Sequence, residues 1–115
     1  MTESSSSPVR GVRWVGRAVV VDVEGDIDLS RSSSFQQSLL ELVDQRPERI
    51  VINLADVPYM DSSGVASLVK LLSRARRNNL AVCLVALGPR VRSIFEITRL
   101  DSVFEIHATE EEALA

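Results

Sequence analysis

Apolar residues along this chain fall into short continuous runs that alternate with longer stretches of helical spacing. The short runs at residues 12–15, 18–24, 50–54, 80–85 and 102–106 have the length and pattern of β-strands. The run at 80–85 is apolar at nearly every position, which is typical of a strand covered on both faces of its sheet. The pattern therefore predicts four or five strands.

Helical spacing separates these runs, because apolar residues recur three and four positions apart. Ser33 followed three residues later by Gln36 predicts the cap of a first helix, and Thr109 with Glu112 predicts the cap of a short last helix. The predicted apolar faces of the three longer helices are Phe35, Leu39, Leu42 and Val43; then Val65, Leu68, Val69, Leu72 and Ala75; then Val91, Ile94, Phe95 and Thr98.

Strands that alternate with helices predict an α/β fold. Gly16-Arg17 would turn the chain between the first two strands, and that hairpin adds an antiparallel edge to the sheet. We therefore expect a single domain at residues 9–115, with a mixed four- to five-stranded sheet and about four helices. The Ser-rich residues 1–8 are predicted to form a flexible tail.

Composition narrows the class of protein. The chain has 115 residues and a net charge of −3, with 45 % hydrophobic and 25 % charged residues, as in globular proteins. Its arginines are spread along the chain, so no basic patch for nucleic acid is predicted. No apolar run approaches the roughly 20 residues that cross a bilayer, and residues 1–8 lack the pattern of a secretory signal. We expect a cytoplasmic protein without nucleic-acid binding or membrane insertion.

Residues that could carry catalysis or hold a metal are few. The single histidine, His107, follows a predicted strand without a nucleophile beside it, and the single cysteine, Cys83, lies inside an apolar run. Asp26, Asp28 and Asp61 alone give only weak support for a site that binds a hard cation. No Gly-x-Ser-x-Gly elbow and no glycine-rich phosphate loop is present. The sequence therefore predicts a protein that is not an enzyme and has no metal site and no cofactor.

Two hydroxyls lie where the second helix begins. The segment Tyr59-Met60-Asp61-Ser62-Ser63-Gly64 follows a strand and precedes the apolar repeat, so Ser62 or Ser63 is predicted to cap the helix. Gly64 would then give the turn its conformational freedom. The same position suits a phosphate, because the first amide groups of a helix and its dipole favour negative charge.

The order of these parts resembles the STAS family, named for sulfate transporters and anti-sigma factor antagonists, and most of all its free-standing bacterial anti-anti-sigma factors. The resemblance covers nearly all of the chain, and three segments carry it: Gly25-Asp26-Ile27-Asp28, Asp61-Ser62-Ser63-Gly64, and residues 94–104. Gly64-Val65-Ala66 replaces the family's frequent Gly-Leu-Gly, which leaves the hydroxyls in place.

The resemblance implies an anti-sigma factor antagonist with no catalytic task of its own. Its partner would be an anti-sigma factor that is also a serine kinase, with a PP2C-type phosphatase as a further partner. The unphosphorylated form would release a sigma factor by competition, and phosphorylation of Ser62, or of Ser63 as the fallback, would end the binding. The partner would contact Asp26, Asp28, Asp61, Ser63 and Gly64, and the exposed side of the following helix at Ser67, Lys70 and Arg74.

Two other roles remain open at this stage. Related stand-alone domains serve as cytoplasmic subunits of lipid-transport ABC complexes, where the same helix face would dock on an ATPase. A component of a larger stress-signalling assembly is the third reading. In the transport role the hydroxyl could be a contact instead of a phosphoacceptor.

Overall fold

A computed structural model describes residues 7–115, which form a five-stranded sheet with its strands in sequence order. β1 and β2 are antiparallel, and β2 to β5 are parallel to one another. The mixed α/β fold predicted from the sequence is therefore confirmed. The strands are β1 (Val9–Val15), β2 (Ala18–Glu24), β3 (Arg49–Asp56), β4 (Ala81–Val85) and β5 (Glu105–His107).

Four α-helices connect or follow the strands: α1 (Leu29–Val43), α2 (Ser62–Arg77), α3 (Pro89–Ile97) and α4 (Glu110–Leu114). The predicted start of α1 at Ser33 is wrong by one turn, because the carboxylate of Asp28 accepts from the amide of Ser30 and caps the helix earlier. The predicted strand at 102–106 is also misplaced. A short 3₁₀ helix takes Leu100–Ser102, and the strand follows it.

The main core lies between one face of the sheet and helices α1 to α3. Alternate residues of β2, β3 and β4 face these helices, as the two-residue period of a strand requires. The ring of Phe95 is fully buried and meets the ring of Phe104 edge to face, with 5.6 Å between centroids. This pair joins α3 to the segment that leads into β5.

The opposite face of the sheet carries a smaller apolar cluster under α4. Val20, Val51, Cys83 and Val85 are buried there with Ala113 of the helix. Because both faces are covered, the near-continuous apolar run of β4 is explained, and the prediction of a buried Cys83 is confirmed. Burial raises the pKa of the Cys83 thiol to about 11, which keeps the thiol protonated near neutral pH.

Ionic contacts hold α4 against this second face. Arg13 of β1 donates to Asp22 at 2.8 Å and to Glu110 of α4 at 2.6 Å. The amide of Asn53 donates to the same Glu110 carboxylate at 2.7 Å. These partners lie on four elements, β1, β2, β3 and α4, so they join the edge hairpin, the centre of the sheet and the last helix.

Two predicted apolar positions point to solvent. Val69 is 40 % exposed on α2, where Leu71 is buried instead, and Thr98 is an exposed C-cap of α3 whose hydroxyl donates to the carbonyl of Ile94. Val69 lies at the margin of the buried stripe of α2, and Thr98 follows the last residue of α3, so neither position faces the core.

Most of the predicted flexible tail, residues 1–6, lies outside the described residues. Pro8, however, is buried, and its carbonyl accepts from the amide of Glu24 at 3.0 Å. Pro8 is therefore packed against the end of β2. Among residues 7–115, no helix has both the length and the apolar character needed to cross a membrane.

Replacing Phe95 with alanine tests the importance of the ring pair. Phe95→Ala should lower the free energy of unfolding by about 3–5 kcal/mol, because it removes a fully buried ring and leaves a cavity. Ile97→Ala is the matched control in the same helix, since Ile97 is 81 % exposed. Urea denaturation of both variants measures the difference, and equal midpoints would contradict this view of the core.

Candidate functional site

The acidic loop after β2 and the hydroxyl segment after β3 meet at the carboxyl ends of these two parallel strands. The amide of Ile27 donates to the carbonyl of Tyr59 at 3.0 Å, and the amide of Asp61 donates back to the carbonyl of Ile27 at 3.1 Å. Ile27 and Met60 thus form an isolated parallel bridge, and both side chains are buried. The two loops therefore meet at this end of the sheet.

Asp61 is the N-cap of α2. Its carboxylate accepts from the amides of Ser63 at 2.9 Å and Gly64 at 3.3 Å. The prediction that Ser62 or Ser63 caps the helix is therefore wrong. The bridge at Met60 brings Asp61 to the position where the helix begins, and its carboxylate takes the amide groups that a serine would have taken.

The two serines differ in what their hydroxyls do. The Ser63 hydroxyl donates to the Asp61 carboxylate at 2.5 Å, and its residue is half-buried. Ser62 is the first residue of α2 and is exposed. Within residues 7–115 no hydrogen bond engages the Ser62 hydroxyl, so of the two it is the one free to meet another molecule.

Two ionised carboxylates lie beside these hydroxyls. The Ser63 hydroxyl and the amides of Gly64, Ser63 and Leu29 lower the pKa of Asp61 below 3.8, against the opposing effect of burial. A hydrogen bond from the Ser30 hydroxyl likewise lowers the pKa of Asp28, while the charge of Asp61 opposes that shift. Asp28 and Asp61 are therefore close enough to interact, and the site is negative near neutral pH.

Gly64 is required for close packing and not for an unusual turn. A Cβ atom at this position would lie 2.6 Å from Cγ of Met60 and 2.9 Å from Cγ2 of Ile27. The absence of a side chain lets α2 approach the bridge that carries Asp61. The expected role in turn freedom is wrong, and Gly64 is buried, which leaves it no exposed side for a partner.

Three other predicted contacts lie along α2, and they are not equivalent. Ser67 is only 2 % exposed, and its hydroxyl donates to the carbonyls of Ser32 and Ser63 at 3.1 Å. Its predicted place on the exposed side is wrong, because it joins α2 to α1. Lys70 is exposed and Arg74 is half-buried, as a contact surface requires. They line a shallow groove with Ala66, Val69, Ser73 and Arg77.

Sequence reasoning missed an apolar residue at this site. Leu29 is 77 % exposed at the start of α1, and its backbone amide is near enough to the Asp61 carboxylate to help lower the pKa of Asp61. The sequence carried no signal for this exposure, because Leu29 precedes the helix start that was predicted at Ser33. Asp26 is exposed in the same loop. The structure thus places an exposed leucine side chain next to the carboxylates of Asp28 and Asp61.

Metal-ligating side chains meet elsewhere in the described part of the chain. Cys83, Glu105 and His107 converge on the sheet face that α4 partly covers, where His107 Nε2 lies 2.7 Å from Glu105. The acids at the start of α1 and α2 form no such group within residues 7–115. Their geometry fits helix capping and surface charge.

Comparison with known proteins assigns this architecture to a family. The model of the STAS domain matches residues 12–113, which is most of the chain, and the protein belongs to the STAS domain family. The class suggested by the sequence motifs is thereby confirmed.

Three proteins that this chain resembles are named anti-sigma factor antagonists. The anti-sigma-B factor antagonist of Bacillus subtilis is 29 % identical over 93 residues, which are 81 % of this chain and 84 % of that protein. An anti-sigma factor antagonist from Mycobacterium paratuberculosis is 28 % identical, with a TM-score of 0.82 over 90 % of this chain and 87 % of that one. The anti-sigma factor antagonist SpoIIAA in its unphosphorylated form is 25 % identical, with a TM-score of 0.77 over 90 % and 91 %.

Removing the Asp61 carboxylate should loosen the start of α2. Asp61→Ala is expected to lower the free energy of unfolding by about 0.5–2 kcal/mol at neutral pH, because a helix cap is lost. The pKa of Asp61 is lowered in the folded state, so its contribution is complete above 3.8 and disappears as pH falls through the lowered value. Chemical denaturation at several pH values measures this, with Asp44→Ala as an exposed control. A difference that is constant with pH would contradict the capping assignment.

A methyl group at Gly64 should force α2 away from the bridge. Gly64→Ala is expected to lower the free energy of unfolding by about 1–3 kcal/mol, the usual cost of overpacking. Gly11→Ala is the matched control, since a Cβ there meets nothing within 4 Å. Thermal unfolding of the two variants gives the comparison, and a Gly64→Ala protein as stable as Gly11→Ala would show that this approach is not tight.

Proposed function

We propose that this protein is an anti-sigma factor antagonist controlled by phosphorylation of Ser62. Its unmodified form binds an anti-sigma factor that is also a serine kinase, and this binding releases a sigma factor by competition. The protein acts by binding and carries out no reaction itself. The relatives named anti-sigma factor antagonists support this role, because they match this chain over most of both lengths.

The free hydroxyl of Ser62 is the observation that carries the proposal. A kinase must reach the oxygen it modifies, and Ser62 is exposed with no hydrogen bond among the described residues. The Ser63 hydroxyl, in contrast, is committed to Asp61. This difference favours Ser62 over the fallback acceptor Ser63.

The surface that follows Ser62 supports a docking role. Ala66, Val69 and Ser73 continue from Ser62 along the exposed side of α2, and Lys70 and Arg74 lie beside them. Leu29 adds an exposed apolar side chain next to Asp61. An apolar centre with charges of both signs around it is the usual composition of a protein contact. The partner would cover Ser62 as it binds.

Phosphorylation would make this surface repel its partner. A phosphate adds roughly 1.5 to 2 negative charges directly beside Asp61 and near Asp28. The amides of Ser63 and Gly64 are already bonded to Asp61, so they are not free to receive the phosphate. The added charge therefore increases the negative potential at the contact, and the fold does not need to change. A PP2C-type phosphatase would restore the binding form.

The role of an ABC-transport subunit is not favoured. The three proteins described above are named anti-sigma factor antagonists, and SpoIIAA has been solved in a form defined by its phosphorylation state. These names support a role in the control of a sigma factor.

The site of modification gives the first test. Purified protein is incubated with ATP and a serine kinase of the anti-sigma type encoded near its gene, and tryptic mass spectrometry locates the phosphate. We expect phosphate on Ser62 in the wild type and in Ser63→Ala, and none in Ser62→Ala. Modification of Ser63 alone would contradict the assignment.

Binding to the same kinase, measured without ATP, separates the effect of a charge at residue 62 from the effect of a changed side-chain shape. Ser62→Asp should weaken binding by about tenfold or more, because it places a carboxylate where charge is already negative. Ser62→Ala should bind as the wild type does, and Ser102→Asp is the matched control, because Ser102 is exposed on the 3₁₀ helix outside the docking surface. Equal affinities for Ser62→Asp and Ser62→Ala, measured by calorimetry, would contradict the switch.

A further inference from the structure

A group of side chains with metal-binding chemistry lies away from the Ser62 site. Strands β4 and β5 are parallel, with Cys83 paired to Glu105 and Val85 paired to His107. Paired residues of parallel strands point to the same face, and so do residues two apart on one strand. Cys83, Glu105 and His107 therefore all project on the side where α4 packs.

The three ligand atoms are close enough to share one ion. Sγ of Cys83, a carboxylate oxygen of Glu105 and a ring nitrogen of His107 lie within 4.8 Å of one another. The Cys83 side chain is buried, whereas the side chains of Glu105 and His107 are 45 % and 29 % exposed. The two partly exposed side chains give an ion a route from solvent to the edge of the group.

We propose that Cys83, Glu105 and His107 form a Zn²⁺ site with a water molecule as the fourth ligand. A thiolate, an imidazole and a carboxylate are the three side-chain types that bind zinc in proteins, at about 2.0–2.3 Å. Hard cations such as Ca²⁺ and Mg²⁺ take oxygen ligands, so the sulfur and nitrogen select against them. On binding, zinc displaces the Cys83 thiol proton to solvent.

A cationic side chain already occupies part of this space. Nη1 of Arg49 lies 2.8 Å from Sγ of Cys83 and 3.1 Å from the Glu105 carboxylate. The guanidinium thus meets two of the three proposed ligands. Arg49 is at the start of β3 with a side chain 32 % exposed, so it can turn toward solvent when zinc enters. It competes with the ion, and its removal should strengthen zinc binding.

The ion would stabilise the pairing of β5 with β4. β5 has only 3 residues and pairs with β4 alone among the described strands, so few backbone hydrogen bonds hold it. A metal bound to both strands would stabilise this edge and the α4 segment that follows. Because the site exists only in the folded chain, the free energy of zinc binding adds to the free energy of unfolding.

Cobalt substitution tests the site without ambiguity, because the chain has one cysteine and one histidine. Co²⁺ added to the full chain under reducing conditions should give one equivalent of binding and a thiolate-to-cobalt charge-transfer band, which added Zn²⁺ removes. Cys83→Ala should lose the band. His107→Gln, a surface change that leaves the core intact, should weaken binding more than the roughly 10- to 100-fold that loss of an outer partner costs.

Two further variants complete the test. Arg49→Met should bind Co²⁺ more tightly than the wild type, and Glu112→Gln is the matched control for a nearby acid outside the group. Zn²⁺ should raise the thermal midpoint of the wild type and leave that of His107→Gln unchanged. The proposal is overturned if the folded wild type shows no charge-transfer band, or if His107→Gln binds cobalt as the wild type does. These results do not depend on phosphorylation or on a partner.

Discussion

The carboxylate of Asp61 and the backbone bridge beneath it define the geometry on which the rest of the site depends. The bridge between Ile27 and Met60 joins the ends of two parallel strands, and the absence of a side chain at Gly64 lets α2 begin directly over it. Asp61 then takes the first amides of the helix and the Ser63 hydroxyl. Because these donors are used internally, Ser62 is left as the hydroxyl that faces outward.

This arrangement explains how a small modification could control binding without refolding the domain. The residues under Ser62 are buried and hydrogen-bonded, so the helix start is already fixed before any partner arrives. A phosphate on an exposed first-turn residue adds charge to a surface that already carries Asp28 and Asp61, and it has no buried group to displace. The phosphate would therefore act by repelling the partner, whose apolar contact would lie at Leu29 and along α2.

The sequence predicted the parts of the fold that depend on local pattern. Strand β4 and the apolar face of α1 follow from runs and spacing that need no distant partner. The cap of α2 could not be predicted in this way, because Asp61, Ser62 and Ser63 are all good capping residues and the choice depends on the bridge to Ile27. Ser67 was misplaced since its polar side chain suggested solvent, although its helical position lies with Gly64 and Leu71. The cluster of Cys83, Glu105 and His107 could not be predicted either, because it forms only when β5 pairs with β4.

The most direct test of the central claim is an amide ¹H–¹⁵N NMR comparison of the unmodified protein with the form phosphorylated on Ser62. If the helix start is rigid and the switch is local, chemical-shift changes will be confined to the first turn of α2, the loop from Asp26 to Leu29 and residues in contact with them. Signals of the β3 and β4 core will then stay where they were. Changes spread across the sheet, or loss of peak dispersion, would contradict the claim and indicate that phosphorylation acts by altering the fold.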